Sequence, residues 1–551
     1  MRKLFIPYKP IYIFIFVSII YLLTRWITFK GFNGADDLHY AMLAADMLHG
    51  QYHPFAITDV FAGRILLVSL QALIYFVAGI SIYTSQLGTM AITILCCYLT
   101  CFKLISITNS NTVVISTALF YFNPVLNEAN LGVMPDVYVM LAGILIILLW
   151  RKITTEKRQQ TIIISSALAG VVIFTAMFFK ENALIFIPFL FCMPFFDKSK
   201  HGLKAGLISM LTFCILILLS GCMYFYYTGD FFFRVRQIQT ADYPNPCNFC
   251  VASKSDVITR LTYGVWKEFI TTSFYPVILA SFMMILKILF DTKYRIRNDR
   301  WAICFVILVI LSLYFPFSLK GYQPLCFKAR HFLFLLPLGV TVSTVFLEDA
   351  WYNKRTLSLF IVASTILLAV CITTTGEKWY WMIYGFLFMY FVLQKLLPIS
   401  SFLYTLRYIM LGSILWIYMP YHLFFFNSNW FKDMQTLTKK PDGYFFYFPE
   451  HDNMRHWQLL HRFDSSFHSY NLEKEPFQVF ASYYEDIHTF QPGWFIVNKK
   501  YTARSPKFLS RIDSLQHTGY FSKQVVAGDI NAFFLSDSSQ FQYVKAIIAK
   551  D

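Results

Sequence analysis

Two adjacent carboxylates, Asp36 and Asp37, stand just past the first long apolar stretch of the chain, 11–27, and precede a short amphipathic run, 40–48, that ends at Gly50. A carboxylate at such a boundary is too polar for hydrocarbon and must face water or a substrate cavity. There it can act as a general base, taking the proton of a hydroxyl or phosphate as that group attacks. The plainer reading is that the pair marks the end of a helix. Asp136, which closes the segment Asn127-Glu128-Ala129-Asn130-Leu131-Gly132-Val133-Met134-Pro135-Asp136, is a second such acid, and it reads equally as a residue of a first helical turn. Three cations open apolar runs: Arg64 after Gly63, Lys180 before Glu181, and Arg330 before His331. Each alone reads as an interfacial side chain reaching for water. Gathered on one face with the acids, they suit an anionic headgroup such as a phosphate, whose departing charge they would stabilise. Tyr40, Glu128 and His331 complete the set as candidate lining of the acceptor or donor pocket.

The elements that must position these residues are apolar helices. Of 551 residues, 57% are hydrophobic and 14% charged, against about 25% charged in an ordinary soluble protein. Apolar runs of about 17 to 25 residues bounded by Lys and Arg define a polytopic α-helical membrane protein. The net charge of +16 then belongs to basic loops on the cytoplasmic side and needs no nucleic acid as partner. Segment 11–27 follows Arg2, Lys3 and Lys9 and lacks a small-residue cleavage site, so it reads as a retained first span with a cytoplasmic N-terminus. Further apolar segments lie at 65–80, 83–105, 112–127, 137–150, 161–178, 182–196, 205–227, 271–290, 301–319, 331–347, 357–375, 379–397 and 402–425.

Basic loops at 151–158, 198–204, 293–300 and 354–355 should share the cytoplasmic side. They do so only if one early segment fails to cross. Segment 65–80, broken by Ser69, Gln71 and Gly79, is the candidate, as a helix lying at the outer interface or re-entering from it. About thirteen spans follow, within a transmembrane domain over 1–426. Juxtamembrane helices within 31–80, a large loop at 228–270, the candidate site residues and the C-terminal region all come to the outer face.

From 427 to 551 the composition changes. Short strands are predicted at 444–448, 477–482, 494–498, 523–527 and 531–536, with helices at 453–463 and 505–516, the second opened by Ser505-Pro506. This reads as a small extracytoplasmic α/β domain. Eight cysteines lie in apolar runs, where a thiol is a small hydrophobe. Cys247 and Cys250 form a C-x-x-C in the large loop, with Cys326 in another outer loop. No thioredoxin-like pattern flanks them; a Cys247–Cys250 disulfide is the leading reading, a metal site the alternative, and no four-ligand set accompanies it. No Walker A, no G-x-G-x-x-G after a strand and no H-E-x-x-H occurs.

Taken together, these features resemble the GT-C superfamily of membrane glycosyltransferases, nearest the branch of the lipid A aminoarabinose transferase and the protein O-mannosyltransferases. Asp36-Asp37 with Tyr40 resembles the acidic signature of the first outer loop, and Gly63-Arg64 the basic residue opening a juxtamembrane helix. Asn123-Pro124 with Met134-Pro135-Asp136 resembles the second outer loop, Phe179-Lys180-Glu181 a lysine turn, and Arg330-His331-Phe332-Leu333 with Pro337 a later arginine motif. The match spans about residues 10 to 340. Asp37 stands where many members carry Glu. Glu181 stands where a small residue is usual and can pair with Lys180. The C-x-x-C has no family counterpart.

The resemblance implies a sugar carried on a polyprenyl phosphate and attack that inverts the anomeric centre. Asp36 would be the base, and Asp37 or Asp136 would orient the acceptor or, with Asp36, hold a divalent metal. Arg64, Lys180 and Arg330 would bind the lipid phosphate. The acceptor, whether lipid, glycan or protein, and the sugar are not encoded in any motif. The protein is expected to act as a monomer. The absence of an Asn-x-Ser/Thr sequon points to a bacterial inner membrane. Two other functions fit the same partner: a flippase of lipid-linked sugars, which predicts midplane charges in related halves, and a ligase or polymerase using a diphosphate-linked donor. No internal repeat is seen, and the charges sit at the ends of spans.

Overall fold

The computed structural model describes residues 10–28, 35–57, 59–107, 109–130, 132–197, 201–240, 253–290, 300–316, 324–326, 328–374 and 378–396, and in the C-terminal region 445–448, 459, 468–471, 492–498, 506–515, 520–521, 524–527 and 530–549. The first part is all-helical. Helix α1 (Pro10–Thr28) is followed by α2 (Ala35–Leu48), α3 (Ile65–Ala78), α4 (Thr84–Leu99), α5 (Ser110–Tyr121) and α6 (Pro124–Ala129). Then come α7 (Asp136–Thr155), α8 (Gln159–Met177), α9 (Phe186–Asp197), α10 (Gly202–Thr228) and α11 (Phe233–Thr240). Helices α12 (Lys254–Thr259), α13 (Val265–Thr271), α14 (Tyr275–Phe290), α15 (Arg300–Tyr314), α16 (Leu336–Tyr352), α17 (Lys354–Thr374) and α18 (Lys378–Leu396) complete it.

Among the described residues, seven helices are long and apolar enough to cross a membrane: α1, α4 with the π turn that continues it, α7, α8, α10, the helical stretch Ala329–Ala350, and α17. The protein is a multi-pass membrane protein. Helix α3 has 14 residues and is therefore about 21 Å long, short of the roughly 30 Å of hydrocarbon. Helix α18 has 19 residues but is not one of the seven. The expected segment 402–425 lies outside the described residues.

Breaks in the helices follow local chemistry. Asn123 caps α6 by accepting the Leu126 N–H at 3.2 Å, with Pro124 in the first helical position. Helices α8 and α10 approach closely because Gly170 has no Cβ to collide with the Ser209 carbonyl, and Ser209 Oγ donates to Ser166 O at 2.8 Å across the contact. Polar side chains also join the helices. Tyr21 of α1 accepts from Asn130 at 2.9 Å, Thr93 of α4 donates to Asn130 at 2.9 Å, and Tyr21 stacks on Tyr121 of α5 at 4.4 Å.

The C-terminal region carries a five-stranded sheet in the order β2-β1-β3-β5-β4. Its strands are β1 (Phe445–Phe448), β2 (His468–Asn471), β3 (Gly493–Asn498), β4 (Gln524–Ala527) and β5 (Ile530–Leu535). β1 pairs parallel with β2 and β3, and β5 antiparallel with β3 and β4. Phe495, Val497, Phe533 and Leu535 bury one face against Phe508 and Ile512 of α19 (Pro506–Leu515) and Phe541 and Val544 of α20 (Ser538–Ala549). The predicted strand 477–482 lies outside the described residues, and the predicted helix 453–463 is described only at Leu459. β2 and α20 were not anticipated. β2 is a short polar strand, and α20 follows Asp537, whose side chain accepts the Ser539 and Gln540 N–H groups at 2.9 and 3.0 Å.

Candidate functional site

Asp36 and Asp37 are not in a loop. They lie in the first turn of α2, where carboxylates are favoured by the helix dipole. The helix puts Asp36 and Tyr40 on one face, four residues apart. Asp37 points elsewhere: it is 1% exposed and accepts the Leu38 N–H at 3.0 Å. Burial pushes its carboxyl up to about 8, with Asp36 adding to the effect and the Leu38 N–H and Arg330 opposing it.

His39 fixes the segment between α2 and α3. Its Nε2 lies 3.0 Å from Asp59 Oδ2, both residues being buried, and Asp59 Oδ1 accepts the Phe61 and Ala62 N–H groups at 2.9 and 3.2 Å. The turn delivers Arg64, whose Nη1 donates to Tyr40 and whose Nη2 donates to Glu181 Oε2 at 2.9 Å. A Cβ on Gly63 would overlap the guanidinium of Arg234, which would have to shift to make room. Arg234 comes from α11 and donates to Glu181 Oε1 and, at 2.9 Å, to Val60 O. Gln237 of the same helix donates to Ala56 O at 2.7 Å and Asp59 O at 2.9 Å.

The lysine turn splits two neighbours. Helix α8 ends at Met177, Lys180 is extended (φ −163°, ψ 136°) and a 3-10 turn restarts at Glu181. Consecutive side chains around an extended residue diverge. Lys180 accordingly donates to Asp136 Oδ1 at 2.6 Å and to His331 Nδ1 at 2.7 Å, while Glu181 turns to the two arginines. The Lys180–Glu181 pair that the sequence allows is not formed. Burial would raise the Glu181 carboxyl, but Arg64 and Arg234 outweigh it and hold it at about 2. Burial lowers the Lys180 amine, against the opposing pull of Asp136.

Arg330 Nη2 donates to Asp36 Oδ2 at 2.8 Å. Asp136, in the first turn of α7, is 4% exposed. Chain neighbours weld the three clusters together: Lys180 to Glu181, and Arg330 to His331. Asp36, Tyr40, Arg64, Asp136, Lys180, Arg330 and His331 thus converge. Glu128 stands beside them on α6, its carboxyl raised by loss of hydration against the pull of Arg330 and Lys328. Three buried polar atoms of this group have no hydrogen-bond partner: Arg64 Nε, Arg330 Nε and Asp136 Oδ2. Two are donors suited to an anion and one is an acceptor suited to a hydroxyl.

A divalent metal between Asp36 and Asp136 does not fit. Each carboxylate is already paired with a cation that would repel the ion, and no group of three His, Cys, Asp or Glu side chains among the described residues could hold one. Cys326 is disulfide-bonded, and the eight cysteines of the apolar runs are free thiols. Cys247 and Cys250 lie outside the described residues. Sequence reasoning missed Arg234, Gln237, His39 and Asp59. The Asp59-Val60-Phe61-Ala62 turn carried a signal, since Asp commonly bonds backbone N–H groups two and three residues on. Arg234 carried none that separates it from Arg236, which pairs with Asp230 instead.

The architecture that brings these span ends together is one already seen in solved structures. It is shared with ArnT, the lipid A aminoarabinose transferase, from Cupriavidus metallidurans. Its crystal structure in the apo state matches with a TM-score of 0.53 and 11% identity over 95% of this chain and 97% of that one. The structure bound to undecaprenyl phosphate matches with a TM-score of 0.53 and 10% identity over 96% and 98%. No protein-family model and no curated protein sequence matches the chain.

Proposed function

We propose that this protein is an integral membrane glycosyltransferase that moves a sugar from a polyprenyl-phosphate donor to an acceptor at the outer face. In this reading about thirteen spans place the N-terminus in the cytoplasm and the C-terminal region outside, in a bacterial inner membrane. Asp36 takes the proton of the acceptor hydroxyl as its oxygen attacks the anomeric carbon. The bond from that carbon to the phosphate oxygen breaks, and polyprenyl phosphate leaves from the opposite side, inverting the centre. Arg64, Lys180 and Arg330 stabilise the leaving phosphate. Arg330 also orients the Asp36 carboxylate, and Asp136 holds Lys180 while offering its second oxygen to a sugar hydroxyl. Asp37 supports the helix and does not touch the reactants.

What supports this reading most is the group of unpartnered atoms, Arg64 Nε, Arg330 Nε and Asp136 Oδ2, set beside a carboxylate at the ends of apolar helices. A phosphate ester joined to a hydroxyl-rich sugar satisfies all three. The test is transfer by purified protein, wild type against Asp36→Asn, with polyprenyl-phosphate sugars and crude membrane acceptors. Release of sugar by the wild type and at least a hundredfold loss in the variant are expected, within the roughly 10²–10⁴-fold range of a catalytic base. Equal release by both removes Asp36 from the reaction. Movement of intact donor across a bilayer without release turns the assignment to a flippase.

A further inference from the structure

Glu181 is the one acid of the site that two cations share. Its two oxygens are taken separately, Oε2 by Arg64 and Oε1 by Arg234. Both arginines are anchored from elsewhere, Arg64 by Tyr40 and Arg234 by Val60 O and Gln237, so the bridge is held from both sides. The carboxylate remains partly open at 23% exposure, within reach of a ligand. In the other two clusters one cation faces one carboxylate, Lys180 with Asp136 and Arg330 with Asp36. The Arg64–Glu181–Arg234 bridge is therefore the only one of the three that keeps a net positive charge, and it keeps a single one.

We infer that Glu181 sets the charge of the lipid donor this site accepts, favouring a sugar on a single phosphate over a sugar on a diphosphate. The inference rests on the donor class proposed above. A sugar–phosphate–polyprenyl diester carries one negative charge, which the bridge balances. The diphosphate-linked lipid carries two, and the second would lie beside the Glu181 carboxylate without a counter-charge, in surroundings too dry to screen it. Without the Glu181 charge, Arg64 and Arg234 together would balance two charges.

The test is a competition binding measurement on the full chain in nanodiscs. The probes are undecaprenyl-phosphoryl-glucose and undecaprenyl-diphosphoryl-glucose, each against wild type, Glu181→Gln and Glu181→Asp. The wild type is expected to favour the monophosphate. Glu181→Gln removes the charge, its amide oxygen still accepting from one arginine while its NH2 turns from the other, and should shift the ratio of affinities toward the diphosphate by about tenfold. Glu181→Asp keeps the charge and should keep the wild-type ratio. An unchanged ratio in Glu181→Gln, or a wild type that prefers the diphosphate, overturns the inference and leaves the lipid-donor reading standing. Loss of both lipids by Glu181→Gln in protein that melts normally also overturns it, since Glu181 would then only position the arginines. A wild type that binds neither lipid removes the donor reading itself.

Discussion

Asp37→Asn separates the two adjacent aspartates by chemistry as well as by place. Asp37 is 1% exposed and its carboxyl is pushed up to about 8, mainly by burial, from an ordinary 3.8. Across that window the folded protein holds a proton that the unfolded chain has released. A raised folded-state value means that this contribution to stability is intact below the unfolded value and is lost as pH rises toward the folded one. The slope is about 1.4 kcal/mol per pH unit, so between pH 5 and pH 7 this carboxyl costs the fold roughly 3 kcal/mol. Asparagine fills the same volume, can accept the Leu38 N–H through its amide oxygen, and does not titrate. Thermal melting of the purified protein, followed by tryptophan fluorescence at pH 5, 6, 7 and 8, should show Asp37→Asn gaining on the wild type with each step, by several degrees at pH 8. Transfer activity should persist. Parallel melting at every pH would refute the buried neutral acid, and abolished transfer in a normally melting variant would move Asp37 into the reacting group.

Lys180→Ala should weaken donor binding more than acceptor binding; equal weakening of both, in competition assays with each ligand, would remove Lys180 from the phosphate. It should also lower the melting temperature, because Asp136 would be left buried without its cation, at a cost on the order of 3 kcal/mol. His39→Ala should loosen the 50–63 segment that delivers Arg64. Proteolysis within that segment should accelerate and donor affinity should fall; unaltered cleavage would show that Asp59 and Gln237 suffice. A cysteine in place of Thr155 should react with an impermeant thiol reagent only from the cytoplasmic side. Labelling from outside would invert the topology.

The sequence exposes this site because polar residues at the ends of apolar runs have so few places to go. Asp36, Arg64, Asp136, Lys180 and Arg330 could be singled out without any knowledge of which would touch which, since each terminates or opens an apolar segment. Their partners were illegible for reasons that are equally physical. Adjacency suggested a Lys180–Glu181 pair, but one extended residue between a helix end and a 3-10 turn sends the two side chains apart. Arg234 sits one helical turn from Gln237, and only the docking of α11 on the 54–60 segment selects it over Arg236. The amphipathic run predicted over 40–48 begins five residues earlier, at Ala35, because two aspartates that look like loop residues are good first-turn residues. In the C-terminal region, alternation located β3, β4 and β5, whose pairs are apolar and contiguous. β2 is His468-Ser469-Tyr470-Asn471 and gives no such pattern.

The pairing of Arg64, Lys180, Arg234 and Arg330 with carboxylates has a consequence for catalysis. A buried charge stripped of its partner is costly, by several kcal/mol, so a site that must admit an anion cannot wait with bare cations. Here Asp36 answers Arg330, Asp136 answers Lys180 and Glu181 answers the other two arginines. In the proposed reaction an arriving phosphate would compete for the same guanidinium groups, and the carboxylate it would displace most consequentially is Asp36. In the proposed mechanism, Arg330 turning its donors to phosphate would free the Asp36 carboxylate to face the acceptor hydroxyl. In that mechanism Arg330 would couple donor binding to the release of the base. Arg330→Lys should loosen that coupling: a lysine holds one charge but lacks the two-pronged geometry to serve both partners. Its kcat should fall more than its donor affinity, measured by turnover and by lipid binding on the same preparation. A fall in affinity alone would show Arg330 to be a phosphate ligand with no hold on the base.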